Sequence, residues 1–141
     1  MENTDSFFLE LALDVAREAL PIDEVPVGCV VVNKNLEIVC RSHNLTNKLK
    51  DPLAHAEYLC VQYLIDRNMP LDGLSFYITI EPCAMCAGVL ERINANVVFG
   101  FYNEIFGSKK ILNKNIGKCL ENPQAIEILK EFYKTPNKNV N

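Results

Sequence analysis

Two short stretches organise this chain: His55–Glu57, with the sequence His-Ala-Glu, and Pro82–Cys86, with the sequence Pro-Cys-Ala-Met-Cys. Together they supply one imidazole, two thiols and one carboxylate. A catalytic zinc ion usually has three protein ligands and keeps its fourth position open for water or substrate. The two stretches therefore predict an open zinc site with an acid–base group beside it, and the fold must bring them together.

Within these stretches, the predicted zinc ligands are His55, Cys83 and Cys86. If a helix begins near Cys83, both sulfurs lie about one turn apart at its positive end, which favours thiolates. Pro82 suits the position before that start, because proline has a fixed φ and no N–H. Glu57 is the predicted catalytic residue, since a carboxylate close to a cation but not bound to it suits general acid–base work.

The spacing within and between the stretches predicts their surroundings. His55 and Glu57 do not share a face of a regular helix, so both reach one site only at a helix N-terminus. Asp51-Pro52 reads as the turn that starts this helix. The 28 positions from His55 to Cys83 leave room for a helix, a loop and a strand. Two helix N-termini are thereby expected at the same edge of a sheet.

Hydrophobic periodicity predicts the order helix, two strands, helix, strand, helix, strand, short strand, helix. The predicted segments are Asp5–Leu20, Val25–Val32, Leu36–Arg41, Ala54–Asp66, Leu74–Ile80, Cys83–Arg92, Asn96–Phe101, Ile116–Leu120 and Pro123–Tyr133. Thr46–Lys50 is predicted to be a polar loop at the rim of the site. A hairpin followed by helical crossovers predicts an α/β protein with a mixed five-stranded sheet and helices on both faces.

The length of 141 residues predicts a single domain over residues 1–141, with residues 1–5 and 135–141 disordered. No run is long and apolar enough to cross a membrane. The N-terminus is acidic and polar, unlike a signal or transit peptide. An intracellular protein, in the cytoplasm or nucleus, is expected. The cysteines outside the motif are then expected to be free thiols and not metal ligands, namely Cys29, Cys40, Cys60 and Cys119.

The combination of His-x-Glu with Pro-Cys-x-x-Cys resembles the signature of zinc-dependent nucleobase deaminases. Further segments resemble tRNA adenosine deaminases: Val25–Gly28, Asp51–Glu57, Glu81–Gly88 and Val97–Gly100. Phe99–Gly107 and Leu129–Lys134 are similar to the catalytic subunit of the eukaryotic heterodimeric enzyme that acts on the wobble adenosine. The resemblance runs from about Phe8 to Tyr133.

This resemblance implies the cytidine deaminase-like three-layer fold and a hydrolase that deaminates adenosine to inosine in tRNA, at the wobble position of the anticodon. It implies Zn²⁺ as the cofactor, activating water, and places Asn44, Val27 and Ala56 at the nucleoside. An asparagine amide can both donate and accept hydrogen bonds, which suits a purine edge or a ribose hydroxyl. Read without the resemblance, Asn44 fits a turn and Val27 fits the core.

Aromatic and basic residues follow the fourth predicted strand. Phe101, Tyr102 and Phe106 cluster there, and Lys109 and Lys110 come next. Aromatic rings stack on unpaired bases, and lysines contact phosphates. Phe101, Lys109 and Lys110 are therefore candidate RNA contacts. The aromatic cluster also fits a hydrophobic lid or a subunit contact.

The charge distribution also bears on partners. The net charge is −4, yet residues 108–141 carry seven lysines and three glutamates, a balance of +4 on an otherwise acidic chain. A basic end fits contact with the tRNA anticodon loop, and a solvated helix face explains it as well. The acidic remainder suggests that a second chain supplies positive surface. The resemblance implies a catalytically inactive paralogous subunit in a heterodimer, with a homodimer as the other arrangement.

Three other functions fit part of the pattern. A deaminase of a small cytosine or guanine nucleobase, nucleoside or nucleotide would share the zinc motif. A catalytically idle subunit would be expected to lack the carboxylate that Glu57 provides. A structural zinc site usually has four ligands, and only His43 could be tried as the fourth.

Overall fold

A five-stranded mixed sheet lies at the centre of the computed structural model, which describes residues 2–134. The strands are β1 (Gly28–Val32), β2 (Ile38–His43), β3 (Ser75–Ile78), β4 (Asn96–Phe99) and β5 (Lys118–Cys119). Their order in the sheet is β2-β1-β3-β4-β5. β1 pairs antiparallel with β2 and β3, whereas β3–β4 and β4–β5 are parallel. The predicted mixed α/β sheet is confirmed.

Helices cover both faces of this sheet. They are α1 (Glu2–Arg17), α2 (Thr46–Leu49), α3 (Ala56–Asp66), α4 (Ala84–Arg92), α5 (Ser108–Leu112) and α6 (Pro123–Tyr133), with a 3₁₀ turn at Leu20–Ile22. None of the helices in the described part of the chain is long and apolar enough to cross a membrane.

The alternation of side chains along β1 divides the core into two layers. Cys29 and Val31 pack with α3 and α4, in a cluster that includes Leu64 of α3. Val30 and Val32 pack on the opposite face against α1. α6 lies against α1 through Ala125 and other buried residues. This arrangement gives three layers, with the metal-site helices together on one of them.

Two local predictions were wrong, and one short helix was not predicted. α1 begins at Glu2 and not at Asp5, so residues 2–5 are helical and not disordered. The Asp5 carboxylate explains this, because it accepts hydrogen bonds from the Tyr77 hydroxyl at 2.8 Å and from Lys118. Thr46–Leu49 forms α2 where a loop was predicted, and α5 was missed. Both helices are too short for a periodic pattern to reveal.

Two further expectations have different outcomes. All six cysteines are free thiols, as predicted for those outside the motif. The expected disorder of residues 135–141 lies outside the described residues.

Candidate active site

The first part of the site is the start of α3. His55 is the N-cap residue, with an extended backbone, and Glu57 lies buried in the first turn. The predicted turn at Asp51 precedes it: Asp51 Oδ1 accepts a hydrogen bond from the Leu53 N–H at 2.9 Å, and the Asp51 carbonyl accepts one from Ala54 at 3.1 Å. Because the helix begins only after His55, the His55 and Glu57 side chains can serve one site beyond its end.

The second part of the site is the start of α4. Cys83 is the N-cap residue with an extended backbone, and Cys86 lies buried in the first turn. Pro82 stands directly before the cap, as predicted. The helix therefore presents both sulfurs at its positive end.

The three predicted ligands come together at these two helix starts. The Nδ1 atom of His55 lies 3.5 Å from the Cys83 sulfur and 3.6 Å from the Cys86 sulfur. On a tetrahedral zinc with bonds of about 2.3 Å to sulfur and about 2.0–2.1 Å to nitrogen, the two kinds of ligand atom are separated by about 3.6 Å. The donor set therefore fits zinc, with Nδ1 as the histidine ligand atom. Among residues 2–134, this trio is the only such cluster of potential ligands.

Protons are shared unevenly between the two thiols. A hydrogen bond from Cys86, followed by one from His55, lowers the pKa of Cys83 to about 4 despite partial burial. The same hydrogen bond, with burial, raises the pKa of Cys86. One thiolate is therefore ready for a metal, and binding releases the proton from the other sulfur because zinc takes thiolates.

Glu57 has the environment of an acid–base group. Its side chain is buried, and burial raises its pKa to about 7. A carboxyl group with a pKa near neutrality can both take up and release a proton under ordinary conditions. Glu57 is not one of the three clustered potential ligands, and its role in proton transfer stays a prediction.

The residues predicted to contact the nucleoside surround the start of α3. The Asn44 N–H donates to the Val27 carbonyl at 3.1 Å, and the Ala56 carbonyl accepts a hydrogen bond from the Ser42 hydroxyl. Asn44 and Ala56 are buried, and Val27 is half-buried against the core. The structure thus groups Asn44, Val27 and Ala56, and their contact with substrate stays a prediction.

The loop that follows β4 joins the second part of the site. The Phe106 carbonyl accepts a hydrogen bond from the Ala84 N–H at 3.0 Å, directly after Cys83. Phe101 packs against the α1–α6 core, whereas Phe106 is 65% exposed. Lys109 stands over the Tyr102 ring at 4.7 Å. Phe106 is thus better placed than Phe101 to meet a base.

The other two candidate RNA contacts, Lys109 and Lys110, lie in α5 with exposed side chains. Their contact with RNA stays a prediction. His43, the histidine considered as a fourth ligand, lies outside the metal cluster, and its Nδ1 is 3.0 Å from the Asn44 carbonyl oxygen.

Comparison with known proteins relates this site to a family. Residues 2–101 match the model of the cytidine and deoxycytidylate deaminase zinc-binding region. The chain is 35% identical to the tRNA-specific adenosine deaminase of Aquifex aeolicus, over 95% of this chain and 97% of that protein. It is 34% identical to tRNA-specific adenosine deaminase 2 of Xenopus laevis, over 94% of this chain and 87% of that protein. The chain belongs to the tRNA-specific adenosine deaminase family.

Solved structures agree with this placement in the deaminase family. One solved structure comes from a study of A-to-I editing by tRNA:A34 deaminases at the wobble position, and its sequence is 29% identical to this chain. The two structures superpose with a TM-score of 0.74 over 88% of this chain and 99% of the other. The guanine deaminase of Bacillus subtilis shares the fold at 21% identity and a TM-score of 0.59, over 94% of this chain and 96% of its own. The resemblance and the cytidine deaminase-like fold are confirmed, and zinc is the cofactor that the family and the ligand trio support.

This tRNA adenosine deaminase family member also has two buried carboxylates, Glu24 and Glu81, whose roles were not predicted from the sequence. Glu81 ties the loop after β4 to the metal ligands. Its Oε1 accepts from the Asn103 N–H at 3.1 Å, and its Oε2 accepts from the hydroxyl of Ser108 and the N–H of Lys109, both at 3.0 Å. The sequence signal for this role was a glutamate that follows a buried strand by three positions.

Replacing Glu81 with alanine is expected to destabilise this deaminase by about 2–5 kcal/mol, because three donors lose their acceptor. Urea unfolding measures the loss, and hydrogen exchange at Ser108 and Lys109 should accelerate. The matched control is Glu91→Ala, which removes an exposed ion pair with Lys114 and should cost about 0–1 kcal/mol. Equal losses in the two variants would show that Glu81 does not anchor the loop.

Proposed function

We propose that this chain catalyses the hydrolytic deamination of adenosine to inosine in tRNA, at the wobble position of the anticodon. The observation that carries the proposal is the meeting of His55, Cys83 and Cys86 at zinc-ligand spacing, with buried Glu57 in the adjoining helical turn. The names of the relatives supply the substrate, since these proteins are called tRNA-specific adenosine deaminases. The catalytic unit in this proposal is one domain over residues 1–141.

The chemistry divides between the metal and the protein. Zinc held by His55, Cys83 and Cys86 would supply a Lewis acid that lowers the pKa of a bound water toward neutrality. Glu57 then does the proton work: it takes a proton from the attacking water and delivers protons to the ring nitrogen and to the departing ammonia. The water oxygen adds to C6 while one water proton passes through Glu57 to N1. The second proton then passes through Glu57 to the exocyclic amino group and the bond from C6 to that nitrogen breaks, so water and adenosine give inosine and ammonia.

The positions of the other residues fit substrate binding around that chemistry. The target nucleoside would contact three residues that lie beside the start of α3, namely Asn44, Val27 and Ala56. The positive end of α4 lies at the site and favours developing negative charge on oxygen. An anticodon-loop adenosine is unpaired, which lowers the cost of turning it into such a pocket.

RNA would extend from the site across the loop after β4 and α5. Lys109 and Lys110 offer positive charge there, and the exposed ring of Phe106 offers a stacking surface. We place the tRNA inside the cell, so the proposed location is the cytoplasm or nucleus.

A second chain completes this proposal. Large exposed apolar side chains lie near the site, including Ile105 at 67%, Phe106 at 65% and Ile111 at 53% exposure. Such clusters are typical of interaction surfaces. The partner is a catalytically inactive paralogous subunit in a heterodimer, or a second copy of this chain in a homodimer.

The deciding experiment measures inosine in an anticodon stem-loop RNA that carries adenosine at the wobble position. The chain is assayed with verified zinc, alone and with the paralogous chain, and the control RNA carries its adenosine one position away. Inosine at the wobble position alone supports the proposal. Release of ammonia from free cytosine or guanine compounds, with no inosine in RNA under either condition, would replace it with a small-substrate deaminase.

A further inference from the structure

Glu24 is a completely buried carboxylate, with 0% of its surface exposed, and the proposed reaction gives it no task. Its Oε1 accepts hydrogen bonds from Asn44 Nδ2 at 3.3 Å and from the Asn47 N–H at 3.1 Å. Its Oε2 accepts one from the Lys48 N–H at 2.5 Å. A single carboxylate therefore holds both the Asn44 side chain and the start of α2.

The backbone contacts explain why this carboxylate is needed. Leu45 is the N-cap of α2 and has no side-chain acceptor for the first N–H groups of the helix. Glu24 bonds the N–H groups of the second and third helical residues, Asn47 and Lys48, which is the task of a usual capping side chain. The segment from Asn44 to Lys48 is thereby fixed from a distant part of the chain.

The same contacts determine how the Asn44 amide is turned. Its Nδ2 donates to Glu24 and to the Thr46 hydroxyl at 3.0 Å, so both N–H bonds are used. Glu24 Oε1 already accepts from the Asn47 N–H, and the Asn44 nitrogen is the second donor to this oxygen. None of the described residues donates to Asn44 Oδ1, and none of their buried side-chain nitrogen or oxygen atoms lacks a partner. The Oδ1 atom therefore reaches solvent.

Asn44 is held next to the metal ligands. The Leu45 N–H donates to the Ala54 carbonyl at 3.0 Å, and the Ser42 hydroxyl donates to the Ala56 carbonyl. These two contacts bracket His55. The free oxygen of Asn44 thus belongs to the strand end that adjoins the start of α3.

We propose that Glu24 is a positioning residue that holds the Asn44 amide in a fixed orientation for the target nucleoside. The proposal rests on the proposed function. Glu24 acts through Asn44 and does not touch the substrate.

A double-mutant cycle on the zinc-loaded enzyme, in the assembly that is active on the stem-loop RNA, tests this coupling. Glu24→Gln should raise KM and lower kcat/KM on the order of tenfold, because glutamine has one acceptor oxygen where the three donors now share two. In an Asn44→Ala background the same change should lower kcat/KM by less than about twofold, since the group it positions is absent. An equal loss in both backgrounds overturns the proposal. Glu127→Gln, an exposed glutamate on α6, is the matched control.

A readout without catalysis keeps the two proposals distinct. In ¹⁵N spectra of the zinc-loaded protein, both Nδ2 protons of Asn44 should be protected from exchange with water. Glu24→Gln should shift these signals and speed their exchange at least about tenfold, whereas Glu127→Gln should leave them unchanged. If the signals respond in this way but the enzyme forms no inosine, the proposed function is refuted and the positioning role is not. An unresponsive Asn44 amide refutes the positioning role even in an active enzyme.

Discussion

Glu57→Ala is expected to bind zinc as the wild-type chain does and to lose at least ~10²–10⁴ of the inosine-forming rate, the range typical of a general acid–base group. The physical reason lies in its placement. The carboxyl is buried in the first turn of α3, and its pKa near 7 lets it exchange protons without strong bias. His55, Cys83 and Cys86 remain intact in the variant, so metal binding persists.

Glu57→Gln refines this test, because glutamine keeps the shape of the side chain but cannot carry the proton. It should be as inactive as Glu57→Ala, within about tenfold. Zinc content and rate are measured on the same preparation. Retained turnover in either variant, with bound zinc, would show that another group moves the protons.

Cys83→Ala is expected to lose zinc and, with it, activity. Only His55 and Cys86 remain of the clustered ligands, fewer than the three protein ligands that a catalytic zinc usually has. Free zinc at 1,000 times its dissociation constant stabilises a folded chain by about 4 kcal/mol, provided the unfolded chain does not bind it. Added zinc should therefore raise the thermal midpoint of the wild-type chain and leave that of Cys83→Ala unchanged.

The control for this experiment is Cys119→Ala. Cys119 is a half-buried free thiol on β5 and lies outside the metal cluster. Its loss should leave the zinc content and the zinc-dependent shift in thermal midpoint as they are. A fully metallated Cys83→Ala protein would mean that the ligand set has been assigned incorrectly.

The cluster of His55, Cys83 and Cys86 could be predicted from sequence because its requirements are local. Cys83 and Cys86 share one helical turn, and the turn at Asp51 announces the helix start that presents His55. The five strands were also predictable, since their residues alternate between two buried faces or form continuous apolar runs. These features depend on short windows of sequence, in which residue type and spacing are sufficient.

The walls of the site could not be predicted because distant residues determine them. α2 and α5 begin at Thr46 and Ser108, but the carboxylates that bond their first N–H groups are Glu24 and Glu81. A buried glutamate in the sequence does not reveal which N–H groups it will meet. For the same reason, the sequence does not show that Glu24 and Thr46 hold the Asn44 side chain.

The remote capping by Glu24 has a consequence for the order of folding. Helices of four and five residues do not persist by themselves in water, because nucleation costs more than so few turns return. Each can form only after chain segments more than 20 positions apart have met, at 24 positions for Lys48 and 28 for Lys109. Closing such loops delays these contacts relative to local ones. The two short helices therefore depend on the tertiary structure that brings Glu24 and Glu81 to them, and local loss of those contacts is expected to unfold the pocket walls.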